Sequence, residues 1–169
     1  KSKYNESHYI DFFSGSDTVT SADDVAFVMQ QLENKIVEHM YAMHIDKNGK
    51  HHLQFLSIGQ NNATLCNEGA IHKACIDLET VKLYLIHNHP SGNLKPSETD
   101  IKLTKKIQSQ LKLFNIEVNH IIINTFRQAY TLIDKDLKVD HYYYDKFQHE
   151  NKEHYTKLIP FIINESEFL

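Results

Sequence analysis

The sequence predicts a single α/β domain, and three observations carry that prediction. Its 169 residues match the size of one ordinary domain, long enough to bury one substantial core. Hydrophobic residues make up 41% of it, with nine Phe, nine Tyr, only five Gly and three Pro, a composition that packs rather than stays disordered. The hydrophobic period also switches repeatedly along the chain, giving after a leading helix the order β-β-α-β-α-β-β.

Residues 1–20 show no clear period and contain the turn cluster Ser14-Gly15-Ser16-Asp17, so they read as a lead-in. Ser21 then caps a helix, with Asp24 three residues on and Val25, Val28, Met29 and Leu32 along one face. Residues 35–45 are rich in β-branched and aromatic side chains, Asp46-Lys47-Asn48-Gly49 turns the chain, and 51–58 return as the second arm of a hairpin. A polar loop over 60–67 precedes a helix carrying Ile71, Ala74, Cys75 and Leu78. Residues 81–87 form an apolar strand that Pro90-Ser91-Gly92 stops. Ser97 opens the next helix in an S-x-x-D pattern with Asp100; Ile101, Leu103, Ile107, Leu111 and Phe114 give its apolar face and Lys102, Lys105, Lys106 and Lys112 its solvated one. Strands follow at 116–123 and 129–133, joined around Asn124-Thr125. In residues 140–169 no period dominates, although Tyr142, Tyr143, Tyr144, Phe147 and the run 158–163 are apolar enough to pack. The organisation expected is a lead-in and capped helix over 1–34, a core over 35–134 and an extension over 135–169, with no internal repeat.

Charge narrows the function classes. Eighteen basic residues stand against 22 acidic ones, net −4, and Arg127 is the single arginine. Direct nucleic-acid recognition leans on net positive charge and on arginine forks, so it is disfavoured. No apolar run reaches the ~18 residues of a membrane span and residues 1–8 lack the apolar stretch of a signal peptide, so a cytoplasmic location is the default expectation. Lys1 stands where a translated chain has Met, which leaves an upstream segment open. Cys66 and Cys75, nine apart, fit neither a C-x-x-C pair nor a disulfide framework and read as reduced, buried thiols.

Twelve histidines remain to be accounted for, and position decides which matter. His87 and His89 lie two apart at a strand end, so both imidazoles point to one side and can meet one ion. Asp100 sits in the first turn of the following helix and can turn its carboxylate toward the same ion. Two neutral imidazoles, a carboxylate and an exchangeable water match a catalytic zinc site with an open fourth position. Taken separately, each piece has an ordinary explanation: a histidine pair arises easily in so histidine-rich a chain, and Ser97 with Asp100 makes a capping box.

The combined spacing, H-x-H, seven residues, then S-x-x-D, resembles the JAMM motif of the JAB/MPN metallopeptidases, and HNHPSG…PS..D resembles their RadC-like branch. That motif includes a glutamate on an earlier strand, which Glu38 matches within an otherwise apolar stretch where an unpaired carboxylate is costly. The resemblance spans residues 35–134 and implies a mixed β-sheet flanked by helices, with cytidine-deaminase-like layering. It also implies hydrolysis of a peptide or isopeptide bond by zinc-activated water, with His87, His89 and Asp100 as metal ligands. Glu38 is then the general base and Ser97 the donor to the developing oxyanion, with Asn88 and Ser91 orienting their neighbours. The substrate implied is a peptide or protein, ubiquitin-like conjugates included; the sequence names neither it nor the oligomeric state. Three departures stand out: residues 1–34 do not resemble the helix-hairpin-helix module often found in RadC-type proteins, Asn67-Glu68-Gly69 stands where an Arg is common, and the segment after Asp140 has no counterpart.

Rival chemistries fare less well. Zinc nucleoside deaminases need H-x-E and P-C-x-x-C, and neither is present. A Cys66/His72/Cys75 metal site is weaker than core packing, because Cys75 lies on an apolar helix face. His51, His52, His141, His149 and His154 read as solvated or rim residues. The alternative functions are a DNA-repair-associated accessory role, as the RadC family name suggests, and a non-catalytic, metal-bearing interaction scaffold.

Overall fold

The computed structural model describes residues 8–11, 21–59, 67–125 and 127–143. They form one mixed sheet of seven strands: β1 (His8–Asp11), β2 (Glu38–Asp46), β3 (His51–Gly59), β4 (Thr80–His89), β5 (Glu117–Asn124), β6 (Ala129–Ile133) and β7 (Val139–Tyr143). Their spatial order is β1-β3-β2-β4-β5-β6-β7. Every neighbouring pair is antiparallel except β4 and β5, which run parallel because the helix α3 (Glu98–Lys112) carries the chain between them. Two further helices, α1 (Ala22–Val28) and α2 (Glu68–Leu78), complete the fold, with a short 3₁₀ helix at Gln30–Asn34 after α1.

Strand alternation sorts the core into two layers. Tyr41, Met43 and Ile45 of β2, Tyr84 and Ile86 of β4 and Ile121 and Ile123 of β5 pack with α1 and Leu32. Met40, Ala42, Leu83, Leu85 and Val118 face the other way, against Ile71 and Cys75 of α2 and Leu103, Ile107 and Leu111 of α3. The same parity places Glu38, His87, His89 and His120 on the α2/α3 side, so alternation alone carries these four side chains to one face.

Several local expectations change. β1 and β7 are short edge strands that periodicity did not reveal: β1 has four residues, and β7 alternates between exposed and half-buried without a fully buried position. Phe114 is not on the packed face of α3, because the helix ends at Lys112 and Phe114 is 64% exposed in the turn beyond it. The polar Thr104 occupies a buried place on that face instead. His51 is fully buried within the β2–β3 hairpin, and His52 pairs with Asp46 at 2.9 Å, so neither is a solvated rim residue. Cys75 is buried, with its thiol pushed up to about 12 by that burial, which suits packing and not metal binding. Cys66, His149 and His154 lie outside the described residues.

Candidate metal centre

The site forms where β2 and β4 part company. Their pairing begins at Met40 opposite His87 and continues down the strands, so Glu38, the first residue of β2, lies before that ladder, opposite Gly59 of β3. Asn88 bridges the opening from the opposite face of the sheet. Its Oδ1 accepts from the His39 backbone N–H at 2.7 Å and its Nδ2 donates to the Val37 carbonyl at 3.0 Å. A side-chain amide thus takes over the strand ladder, and the start of β2 is held while Glu38 faces the gap.

Beyond β4 the chain turns tightly. Gly92 has φ +76 and donates its N–H to the His89 carbonyl at 2.9 Å, and a Cβ there would sit 2.9 Å from the Thr125 carbonyl oxygen. Both the backbone angle and the close approach require glycine. The loop then enters α3 through a capping box in which Ser97 Oγ accepts from Asp100 N–H at 3.0 Å and Ser97 N–H donates to Asp100 Oδ2 at 2.8 Å. That box aims the Asp100 carboxylate inward, where it is 3% exposed.

The result is a convergence of two imidazoles and two carboxylates. Donor atoms of Glu38, His87 and His89 all lie within 4.8 Å of one another. Asp100 Oδ2 is 3.0 Å from His89 Nε2, and Asp100 Oδ1 is 3.3 Å from His87 Nε2. Burial alone raises the Asp100 carboxyl, but the adjoining His87 and His89 imidazoles outweigh it and hold the group well below the usual carboxylate range. Burial lowers His89, yet the bond to Asp100, the Asn93 carbonyl and the charges of Asp100 and Glu38 together raise it above its ordinary value.

Each imidazole has its Nδ1 bonded away from the centre. His89 Nδ1–H donates to the Asn93 carbonyl at 2.9 Å, and His87 Nδ1 meets His120 Nε2 at 2.8 Å. Both Nε2 atoms therefore face the carboxylates. His87 Nε2 is buried and makes no hydrogen bond among the described residues. An orphaned imidazole nitrogen in a nest of carboxylates fits a cation: neutral imidazole and carboxylate are a donor set that zinc accepts readily.

The centre opens into a cleft of about 1050 Å³, bounded by Ile36 and Val37 on one side and by Pro90, Lys95, Pro96 and Ser97 on the other. The five residues singled out by sequence, Glu38, His87, His89, Ser97 and Asp100, are brought together here. Sequence reasoning missed His120 and Thr104, which lie directly behind His87; the available signal was a lone histidine in the apolar run of β5. Burial pushes His120 down to about 3, so it is a neutral imidazole.

The family model described as RadC-like JAB domain matches residues 19–138. The chain belongs to this family. Curated relatives of the RadC-like JAB domain include UPF0758 proteins of Caldanaerobacter subterraneus (31% identity over 113 residues, 65% of this chain and 48% of the relative) and Alkaliphilus metalliredigens (32% over 123 residues, 70% and 52%). A third, from Clostridium acetobutylicum, is 33% identical over 108 residues, 62% of this chain and 47% of its own length. The chain spans about half the length of the curated relatives it matches. No helix among the described residues is long and apolar enough to cross a membrane.

Proposed function

We propose that this RadC-like JAB domain is a zinc metallopeptidase that hydrolyses a peptide or isopeptide bond. The observation that carries the reading is His87 Nε2, buried without a hydrogen bond between Asp100 and the donor atoms of Glu38 and His89. His87, His89 and Asp100 would hold the metal; Asp100 Oδ1 and Oδ2 lie 3.3 and 3.0 Å from the His87 and His89 Nε2 atoms, whose group of mutually close donors is completed by Glu38. Zinc, when bound there, supplies the Lewis acidity that makes water nucleophilic near neutral pH. Glu38, at the mouth of the β2–β4 gap, takes the proton from the attacking water and delivers it to the leaving amine. Ser97 Oγ accepts from Asp100 N–H, and its own hydroxyl proton is directed to the oxyanion that develops on the scissile carbonyl. Ile36, 86% exposed beside Glu38, offers an apolar contact to the substrate chain.

Purified protein, prepared without chelator, should contain one zinc per chain and cleave peptide or ubiquitin-like isopeptide substrates; protein that takes up no metal refutes the reading. Zinc must displace a proton from His89, whose pKa is raised, so as pH drops affinity should begin to fall above pH ~6.5 and go on falling below it. Retention at pH 4 would contradict histidine ligation. The accessory alternative predicts duplex DNA binding, whereas a chain of net charge −4 should show none tighter than micromolar at ~150 mM salt in an anisotropy titration.

A further inference from the structure

Behind the metal centre, three side chains form an unbroken line into α3. His87 Nδ1 lies 2.8 Å from His120 Nε2, and His120 Nδ1 lies 2.7 Å from Thr104 Oγ1. The Thr104 hydroxyl donates to the Asp100 carbonyl oxygen at 2.7 Å. His120 and Thr104 are both fully buried, and the His87 and His120 rings sit 4.8 Å apart.

The polarity of this line follows from its far end. The Asp100 carbonyl can only accept, so with the Thr104 proton donated there Thr104 Oγ1 accepts from His120 Nδ1–H. A neutral imidazole with its proton on Nδ1 has a lone pair on Nε2. That lone pair accepts from His87 Nδ1–H, which leaves His87 Nε2 bare and facing Asp100. With the Thr104 proton on that carbonyl each later link follows in turn, and the last atom in the series is the one the proposed metal needs. The line also begins on the backbone of Asp100, so the helix turn that carries one ligand sets the tautomer of another.

We infer that His120 and Thr104 are positioning residues, fixing His87 as its Nδ1–H tautomer and holding its ring so that Nε2 is available to a divalent cation. This rests on the metal reading of His87, but the tautomer exists without metal and is measured separately. The experiment uses metal-free and zinc-titrated protein. Long-range ¹H–¹⁵N spectra of the metal-free chain should show His87 protonated on Nδ1. His120→Phe keeps the ring and removes the acceptor, so His87 should lose that single tautomer and zinc affinity, measured against a competing chelator, should fall ~10–100-fold. Thr104→Val should weaken zinc binding in the same direction, and Thr104→Ser, which keeps the hydroxyl, should restore it. A merely structural role for Thr104 would not separate Val from Ser in this way. If His120→Phe fails to fold, the Thr104 pair decides the matter. A His87 tautomer unchanged by His120→Phe, or zinc affinity within twofold of wild type in both His120→Phe and Thr104→Val, overturns the assignment. A wild-type chain that binds no zinc yet shows the His87 Nδ1–H tautomer refutes the metal reading and leaves the positioning line intact.

Discussion

Two buried histidines, His44 and His87, face the same side of the sheet and are built to opposite ends. His87 is opposite Met40 of β2, and His44 lies four residues further along that strand, ~13 Å away at ~3.3 Å per residue. Both side chains are almost completely buried. At His44 the Gln54 amide oxygen accepts from Nε2–H at 2.8 Å, and the Thr80 hydroxyl donates to Nδ1 at 2.9 Å. Gln54 in turn donates to the Ala70 carbonyl, tying the histidine to α2. Every valence of that imidazole is met by a neutral group. At His87 one nitrogen is satisfied by His120, and the other is left bare among carboxylates. Burial and strand position are alike, so neither tells the two histidines apart; the unfinished hydrogen bonding does.

The contrast breaks most readily at the proposed ligands. His87→Ala should abolish zinc binding, while His44→Leu should leave one zinc per chain, with metal content read on both preparations. Zinc lost equally from both would mean that the two networks act as one, and that the two histidines do not differ in role.

A finer cut divides the four groups within the candidate metal centre. Glu38→Gln keeps the volume and removes the basic oxygen, so zinc content should hold while hydrolysis falls ~10²–10⁴-fold. Asp100→Asn removes a charge from the proposed ligand set and should weaken zinc and turnover together. Should Glu38→Gln lose zinc as completely as His89→Ala, Glu38 is a ligand, a role its place within 4.8 Å of both imidazoles also permits. Zinc stoichiometry and cleavage rate, measured on the same samples, separate these outcomes.

How much of this was written locally in the sequence differs from element to element. The capping box and the H-x-H pair are legible because helix N-termini and strand parity are set within a few residues. Glu38 is legible only through the family motif, since 49 residues and a hairpin separate it from His87. His120 is less legible still. It reaches His87 because β4 and β5 run parallel with His87 opposite Ile122, which puts His120 two residues back on the same face. A parallel register is fixed by the whole βαβ unit and leaves no short-range signature. His44 shows the converse: nothing in its neighbours in sequence announces that Gln54 and Thr80 will close around it.

The smallest expected effect sharpens the comparison from the structural side. Burial, opposed by the Gln54 bond and reinforced by His52, pushes His44 down to about 4 from an ordinary 6.5. Between those values the unfolded chain holds a proton that the folded chain refuses, so stability from this group is complete above pH ~6.5 and drains away as pH falls toward ~4. The loss amounts to about 3 kcal/mol, at ~1.36 kcal/mol for every pH unit between the two values. His120 contributes a slope of the same sign, so the test is a difference between two chains. Urea unfolding of metal-free wild type and of His44→Leu, from pH 7 to pH 4, should show the wild type losing stability faster by about that amount. Parallel profiles would mean that His44 accepts a proton within the fold, and that the Gln54–Thr80 enclosure is no more closed than the centre around His87.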